Sequence, residues 1–151
     1  MELFESLGTH NEVWWHNRTP EGMDIKEVFI RAMLTDNYIS SVNGLAETGE
    51  LINIDNTGNR VASTLYGHKK VYFIIGKNKL APDYDSALYR ARNIASPLNV
   101  KRLNRKTPCA TTKKCMDCNS PDRICRALVV LYKKPAGSDY EIILIDENLG
   151  Y

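Results

Sequence analysis

All four cysteines of the chain, Cys109, Cys115, Cys118 and Cys125, fall within seventeen residues in the pattern C-x5-C-x2-C-x6-C. Thiolates are soft ligands. The two-residue gap between Cys115 and Cys118 lets two sulfurs approach one ion, and the loops to Cys109 and Cys125 are long enough to complete four-coordinate sulfur. A metal is therefore the first expectation for these four. The choice between zinc and an iron-sulfur cluster stays open, because neither a paired zinc set nor a ferredoxin spacing is matched. A redox dithiol is the alternative. Lys106, Lys113, Lys114, Arg123 and Arg126 surround the thiols, where they ease thiolate formation and offset the charge of a thiolate-bound centre. Residues 101–134 hold ten Lys or Arg against two Asp, so this segment carries +8 of a chain whose net charge is +2. Such an excess suits nucleic acid, yet no aromatic residues are interleaved with it and Tyr132 alone makes no stacking platform, so nucleic acid is not expected as a partner.

A second concentration of chemistry lies between Glu47 and Ala62. Leu51-Ile52-Asn53-Ile54-Asp55 reads as a short strand, followed by a polar turn and a helix that starts at Thr57 or Gly58 with Val61, Ala62 and Leu65 on one face. The free N–H groups at a helix start favour an anion, and Asp55, Asn56, Thr57, Asn59 and Arg60 crowd that point. The competing reading is that Asp55 or Thr57 caps the helix while Gly58 permits the turn. A third group, Asn78 and Lys79, follows the apolar run Lys70 to Gly76, and ligands of open α/β sheets bind beyond the carboxyl ends of strands. His10 and His16 have no paired spacing and are expected to be surface or turn residues.

The elements that must position these groups alternate between helix and strand. Thr19-Pro20-Glu21 predicts a helix start, and Ile25, Val28, Phe29, Ala32 and Met33 recur at helical spacing to about Thr35. A short strand over Tyr38 to Asn43 leads into the Glu47 to Ala62 unit. Lys70 to Gly76 predicts a strand buried on both faces, central in a parallel sheet. Asp83 to Ser96 predicts an amphipathic helix that Pro97 closes, and Ala127 to Tyr132 and Tyr140 to Asp146 predict strands that pair antiparallel if they are neighbours. Glu2 to Leu7 suits a short helix, and Val13-Trp14-Trp15 a brief extended piece. At 151 residues, 43% hydrophobic and 25% charged, this is expected to be one α/β domain over residues 1–151, with a cysteine-rich segment at 104–126. No apolar run approaches the roughly 20 residues of a membrane span, and the first residues lack the pattern of a signal peptide, so a cytoplasmic location is expected. No nucleotide cofactor motif is found.

These residues together resemble one family. Ser40-Ser41-x-Asn43, Glu47-Thr-Gly49, Leu51-x-Asn53-x-Asp55-x-Thr57-Gly58-Asn59-Arg60-Val-Ala62, Gly76-x-Asn78-Lys79, Arg92-Asn93-x-Ala95-x-Pro97, the Pro108-Cys109 to Arg123-Ile-Cys125 segment and Leu149-Gly150 are similar to the lactate-utilisation (LUD) domain family, from about residue 20 onward. The resemblance implies a three-layer α/β fold with a mixed, mostly parallel sheet, of the type shared by glucosamine-phosphate deaminase, ribose-phosphate isomerase and CoA transferases. It implies a role in the iron-sulfur system that oxidises L-lactate to pyruvate. It also implies one ligand cleft for Asn43, Asn53, Asp55, Thr57, Gly58, Asn59, Arg60, Asn78 and Lys79. Family members have a further α/β unit with a Gly-Gly-Ser turn ahead of the part that matches Glu2 to Gly8. A shortened or divergent member is expected, or one whose sheet a partner or second subunit completes. The cysteine segment belongs to one branch of the family.

Two functions follow as expectations. In the first, the chain is a component or accessory of a lactate-oxidising oxidoreductase. Asp55, Asn59, Arg60 and Lys79 hold a small carboxylate or phosphate group, the cysteines hold the cluster, and Glu47 is the acid-base or nucleophilic residue by analogy with CoA transferases. The alternative is a ligand-binding or regulatory module without catalysis, with structural zinc. Other lactate-utilisation proteins and a second copy of the chain are the expected macromolecular partners, and a membrane is not.

Overall fold

The structure is a computed structural model that describes residues 3–151. Glu2 lies outside the described residues, and the first helix among them, α1, spans Leu3–Gly8. Seven strands form two open sheets. In the first, β1 (Asn37–Ser40), β4 (Lys70–Gly76) and β7 (Asp139–Ile145) lie in the order β1-β4-β7 with every pair parallel. In the second, β5 (Leu80–Ala81), β2 (Gly44–Ala46), β3 (Leu51–Asp55) and β6 (Ala127–Leu131) lie in the order β5-β2-β3-β6. There β2 and β3 form an antiparallel hairpin, β5 runs parallel to β2, and β6 runs antiparallel to β3.

Two apolar clusters tie the layers together. Val71, Phe73 and Ile75 of β4 meet Leu45, Leu51 and Leu131 of the second sheet in one, with Val42 between them. On the other face of the second sheet, Ala46, Ile52 and Ala81 pack on Ala87 and Ala91 of the helical layer. That layer consists of α4 (Tyr84–Arg90), a π-helical turn at Ala91–Ala95 and α5 (Ser96–Arg102). Small residues allow this close approach. A Cβ at Gly44 would stand 2.5 Å from the Ala87 carbonyl oxygen, so only glycine fits where β2 passes under α4.

The architecture is the expected mixed α/β, with corrections. The apolar strands are divided between two sheets, and β6 and β7 pair with β3 and β4 rather than with each other. The connection between them is short, but β7 finds a parallel partner with seven registered pairs along β4. On β4, Val71, Phe73 and Ile75 are buried while Lys70, Tyr72 and Ile74 are half-buried, so one face is core and the other is not. The strand expected over Tyr38 to Asn43 is Asn37–Ser40.

Helix α2 spans Ile25–Met33 and is capped by Asp24, whose carboxylate accepts from the Lys26 N–H at 2.8 Å; Gly22 turns at φ +79°, so the start at Thr19 fails. Of its expected stripe only Val28 is buried. Pro97 does not close the helix from Asp83, because the chain continues into α5. A proline removes one helical donor and crowds the carbonyl four residues back, and the wider π-turn at 91–95 relieves both. Helix α3 spans Asn59–Leu65 and buries Val61, Ser63 and Thr64, leaving Leu65 exposed. Helix α6 covers Pro108–Thr112 within the cysteine segment. Among the described residues no helix is long and apolar enough to cross a membrane.

Replacing Gly44 by Ala is expected to lower stability by about 2 kcal/mol, the usual scale of core overpacking, read as a lower urea midpoint at unchanged slope.

Candidate functional site

Parallel pairing brings the carboxyl ends of β1, β4 and β7 to one edge of the first sheet. Ser41 leaves β1 there, the 3-10 turn Lys77–Lys79 leaves β4, and residues 146–150 leave β7. The open end of the β2–β3 hairpin meets the same edge, bringing Asn43, Asn53 and Asp55. The expected cleft residues do assemble, but several turn out to hold one another.

Asp55 closes the start of α3. Its Oδ1 accepts from the N–H groups of Asn56 (2.6 Å) and Gly58 (3.3 Å), and its Oδ2 accepts from Val61 N–H (3.3 Å) and stands 3.5 Å from Arg60 Nε. Gly58 takes the left-handed φ of +91° that this turn needs. The capping reading therefore describes Asp55 and Gly58: the chain's own carboxylate fills the place where an external anion would sit. Thr57 is exposed and Asn59 half-buried, and no hydrogen bond of the cluster runs through either side chain.

Arg60 is equally engaged. Its Nη1 donates to Asn53 Oδ1 and to the Ser41 carbonyl (3.2 Å), and its Nη2 donates to the Ile54 carbonyl (2.8 Å) and Asn43 Oδ1 (3.3 Å). Asn43 Oδ1 also accepts from Ile54 N–H at 2.7 Å. One guanidinium thus joins the exit of β1, the entrance of β2, the end of β3 and the start of α3.

Lys79 is different. It is buried, it donates to Ser41 Oγ at 3.0 Å, and among the described residues no carboxylate pairs with it. Burial, and after it the positive charges of Arg90 and Arg60, together lower its pKa from the ordinary 10.5 to about 8. Arg90, buried on α4, donates from Nε to the Asn78 carbonyl (2.6 Å) and from Nη1 to the Asn43 carbonyl (2.7 Å). The Nδ2 of Asn53, fully buried, has no partner among the described residues. The cluster therefore presents three cations and one orphan donor against a single carboxylate, Asp55. That arrangement can receive a small anion.

Ser41 and Arg90 were not among the expected ligands. Arg90 lies three residues after Ala87 and one before Ala91, on the inward stripe of α4, and a cation on a buried stripe is the signal in the sequence that would have found it. His68 is also buried, with Nδ1 2.6 Å from the Thr35 carbonyl oxygen and its ring stacked on Tyr38 at 5.0 Å. It is a core residue.

Glu47 stands apart. It is exposed at the turn of the β2–β3 hairpin, and Asn43 is four residues away at the other end, roughly 13 Å along an extended strand. Asn78 contributes its side chain to the chain itself, accepting from Leu149 N–H at 3.0 Å and donating to the Gly150 carbonyl at 3.2 Å.

The four thiols are free and half-buried. Among the described residues no three His, Cys, Asp or Glu side chains are grouped so as to hold a metal ion. Cys115 and Cys125 both line a cavity of about 260 Å³ with Arg92, Arg123 and Arg126. Arg92 Nη2 lies 3.9 Å from Cys115 Sγ, and Asn93 Oδ1 accepts from Cys115 N–H at 3.3 Å. The π-turn thus anchors the cysteine segment.

The family model for the LUD domain matches residues 4–145, nearly the whole chain. The chain belongs to the LUD domain family. The family is associated with lactate utilisation. No curated protein and no solved structure matches this LUD domain.

Because Arg60 of this LUD domain serves four acceptors and one carboxylate, Arg60→Ala is expected to act on the fold rather than on a ligand alone. Stability should fall by about 3 kcal/mol, the scale for breaking a partly buried charge network, as a shifted urea midpoint. A folded protein of wild-type stability would return Arg60 to the role of a ligand-binding residue.

Proposed function

We propose that this LUD domain serves lactate utilisation by binding a small carboxylate, L-lactate or pyruvate, at the Ser41–Lys79 cluster, as a component of the system that oxidises one to the other. The observation that carries this reading is Lys79: a buried cation, beside two guanidiniums, with no carboxylate of its own. An incoming carboxylate would supply the missing charge. Ser41 Oγ would orient it, and Asn53 Nδ2 offers a further donor. Arg60 and Arg90 act through position, since their own hydrogen bonds hold Asn43, Asn53 and Asn78 around Lys79.

Binding without catalysis by Glu47 is the form of the proposal that the geometry favours, because Glu47 sits at the far end of the hairpin. The cysteine segment takes no part in carboxylate recognition, and a metal or cluster there would require the four sulfurs to come together.

The test is calorimetry and thermal unfolding with L-lactate, pyruvate and inorganic phosphate. Pyruvate or lactate should raise the Tm of the wild-type protein, and Lys79→Met should abolish that rise. Without ligand, Lys79→Met should itself be more stable than wild type by about 1–3 kcal/mol, because it replaces an uncompensated buried cation with an apolar chain. A wild-type protein indifferent to all three anions would remove the proposal.

The pH dependence has a defined sign. The charged groups facing Lys79 are Arg90 from α4 and Arg60 from α3; Asp55 is turned to Arg60, Asp146 pairs with Lys77 at 2.8 Å, and the Glu147 side chain is exposed. The folded pKa of Lys79, about 8, lies below the ordinary 10.5. Between those values the unfolded chain binds a proton that the folded chain does not, so this group makes the ligand-free protein more stable as pH rises through that window. Carboxylate affinity runs the other way and should fall above pH 8, as Lys79 loses its charge.

A further inference from the structure

Gly76, the last residue of β4, is hemmed in by a segment far away in sequence. A Cβ built there would meet Leu149 N at 2.6 Å, Glu147 O at 2.7 Å and Asn78 Oδ1 at 2.7 Å. Lys77 N–H donates to the Glu147 carbonyl at 3.0 Å, and Lys77 Nζ pairs with Asp146. Asn78 then takes both a donor and an acceptor from the same segment, through Leu149 N–H and the Gly150 carbonyl. Gly150, at φ +62°, lies so close that a Cβ on it would stand 3.5 Å from Lys79 Nζ and 3.9 Å from Lys79 Cε. Residues 147–150 therefore run as a strap across the turn after β4 and form one wall around the Lys79 ammonium.

We propose that Asn78 is a positioning residue for the carboxylate site: its amide pins the 147–150 strap against Lys79. The proposal rests on the reading of Lys79 as the anion-binding group. Two bonds to one side-chain amide make the strap's register specific, since a shift of one residue would present a donor to a donor. The main chain of Asn78 is held independently, by Arg90 Nε on its carbonyl, so the amide is aimed by α4 and not by the strap it holds. With the strap in place, water is kept from Lys79, and the low proton affinity of its amine agrees with that exclusion. Gly150 lets the strap turn beside Lys79, since its φ of +62° is a conformation that L side chains rarely adopt.

The experiment follows the titration of Lys79 by NMR in 13C-lysine-labelled protein, with its resonance assigned by loss in K79M. It compares wild type with Asn78→Ala and with Leu149→Pro, which deletes the strap's N–H donor outside both apolar clusters. Both variants should stay folded and should move the Lys79 midpoint up from about 8 by a pH unit or more, toward an ordinary lysine. Pyruvate affinity should weaken by roughly tenfold in each, because the carboxylate is then shared with water. Folded variants with the wild-type midpoint would overturn the inference, and this readout needs no ligand. A wild-type protein with the low midpoint but no pyruvate or lactate binding would instead overturn the function proposed for the site.

Discussion

The guanidinium of Arg60 is the constraint on which the site depends. From the first turn of α3 it reaches the residue after β1, the residue before β2 and the end of β3. Each offers it an oxygen, and a buried acceptor left without a donor costs about 1–3 kcal/mol. Arginine suits the task because its planar fork donates in several fixed directions at once, which lysine cannot do. Asp55 then balances the charge and turns its remaining capacity to the N–H groups that open α3. The two sheets are thereby fixed at the edge where β1, β4 and β7 end.

That arrangement leaves an electrostatic imbalance one step away. Asp55 balances Arg60, but nothing balances Lys79 or Arg90 among the described residues, and both are buried. Burial lowers the pKa of Arg90 as well as that of Lys79. A fold that keeps two such charges in its interior gives up stability at a place where apolar side chains would pack without cost. Such concessions gather at binding sites, where the ligand restores the balance.

Much of this was legible in the sequence. The β3 strand at Leu51–Asp55, the central strand Lys70–Gly76 and the gathering of Asn43, Asn53, Arg60 and Lys79 follow from the apolar runs and from the family resemblance. What was not legible depends on long-range pairing. Nothing local to Tyr140 to Asp146 says that it pairs with β4 rather than with β6, because a short connection permits an antiparallel neighbour without compelling one. The continuation past Pro97 depends on a π-turn whose widening is set by Ser96 Oγ donating to the Ala91 carbonyl at 2.9 Å and by the packing of Ala91 and Ala95. The direction of a polar side chain was the hardest part. Asn78 and Lys79 are adjacent, yet one amide turns to the strap and the neighbouring amine turns to Ser41. For the cysteines, spacing speaks only of reach, and it does not foretell that Arg123 holds the turn between Cys118 and Cys125 through both their carbonyls.

The pairing of β4 with β7 also bears on how the chain reaches this state. Val71 faces Tyr140 and Ile75 faces Leu144, sixty-nine residues later in each case. During synthesis β4 emerges long before that partner exists. Through the making of α4, α5 and the entire cysteine segment, one edge of this central apolar strand has nothing to bond with. Parallel pairings of such separation form slowly, and an open apolar edge is where newly made chains associate with one another. Residues 139–145 thus close the first sheet only long after β4 has been made, and a ribosome that stalls before residue 139 holds out a chain whose central strand is still unpaired on that side.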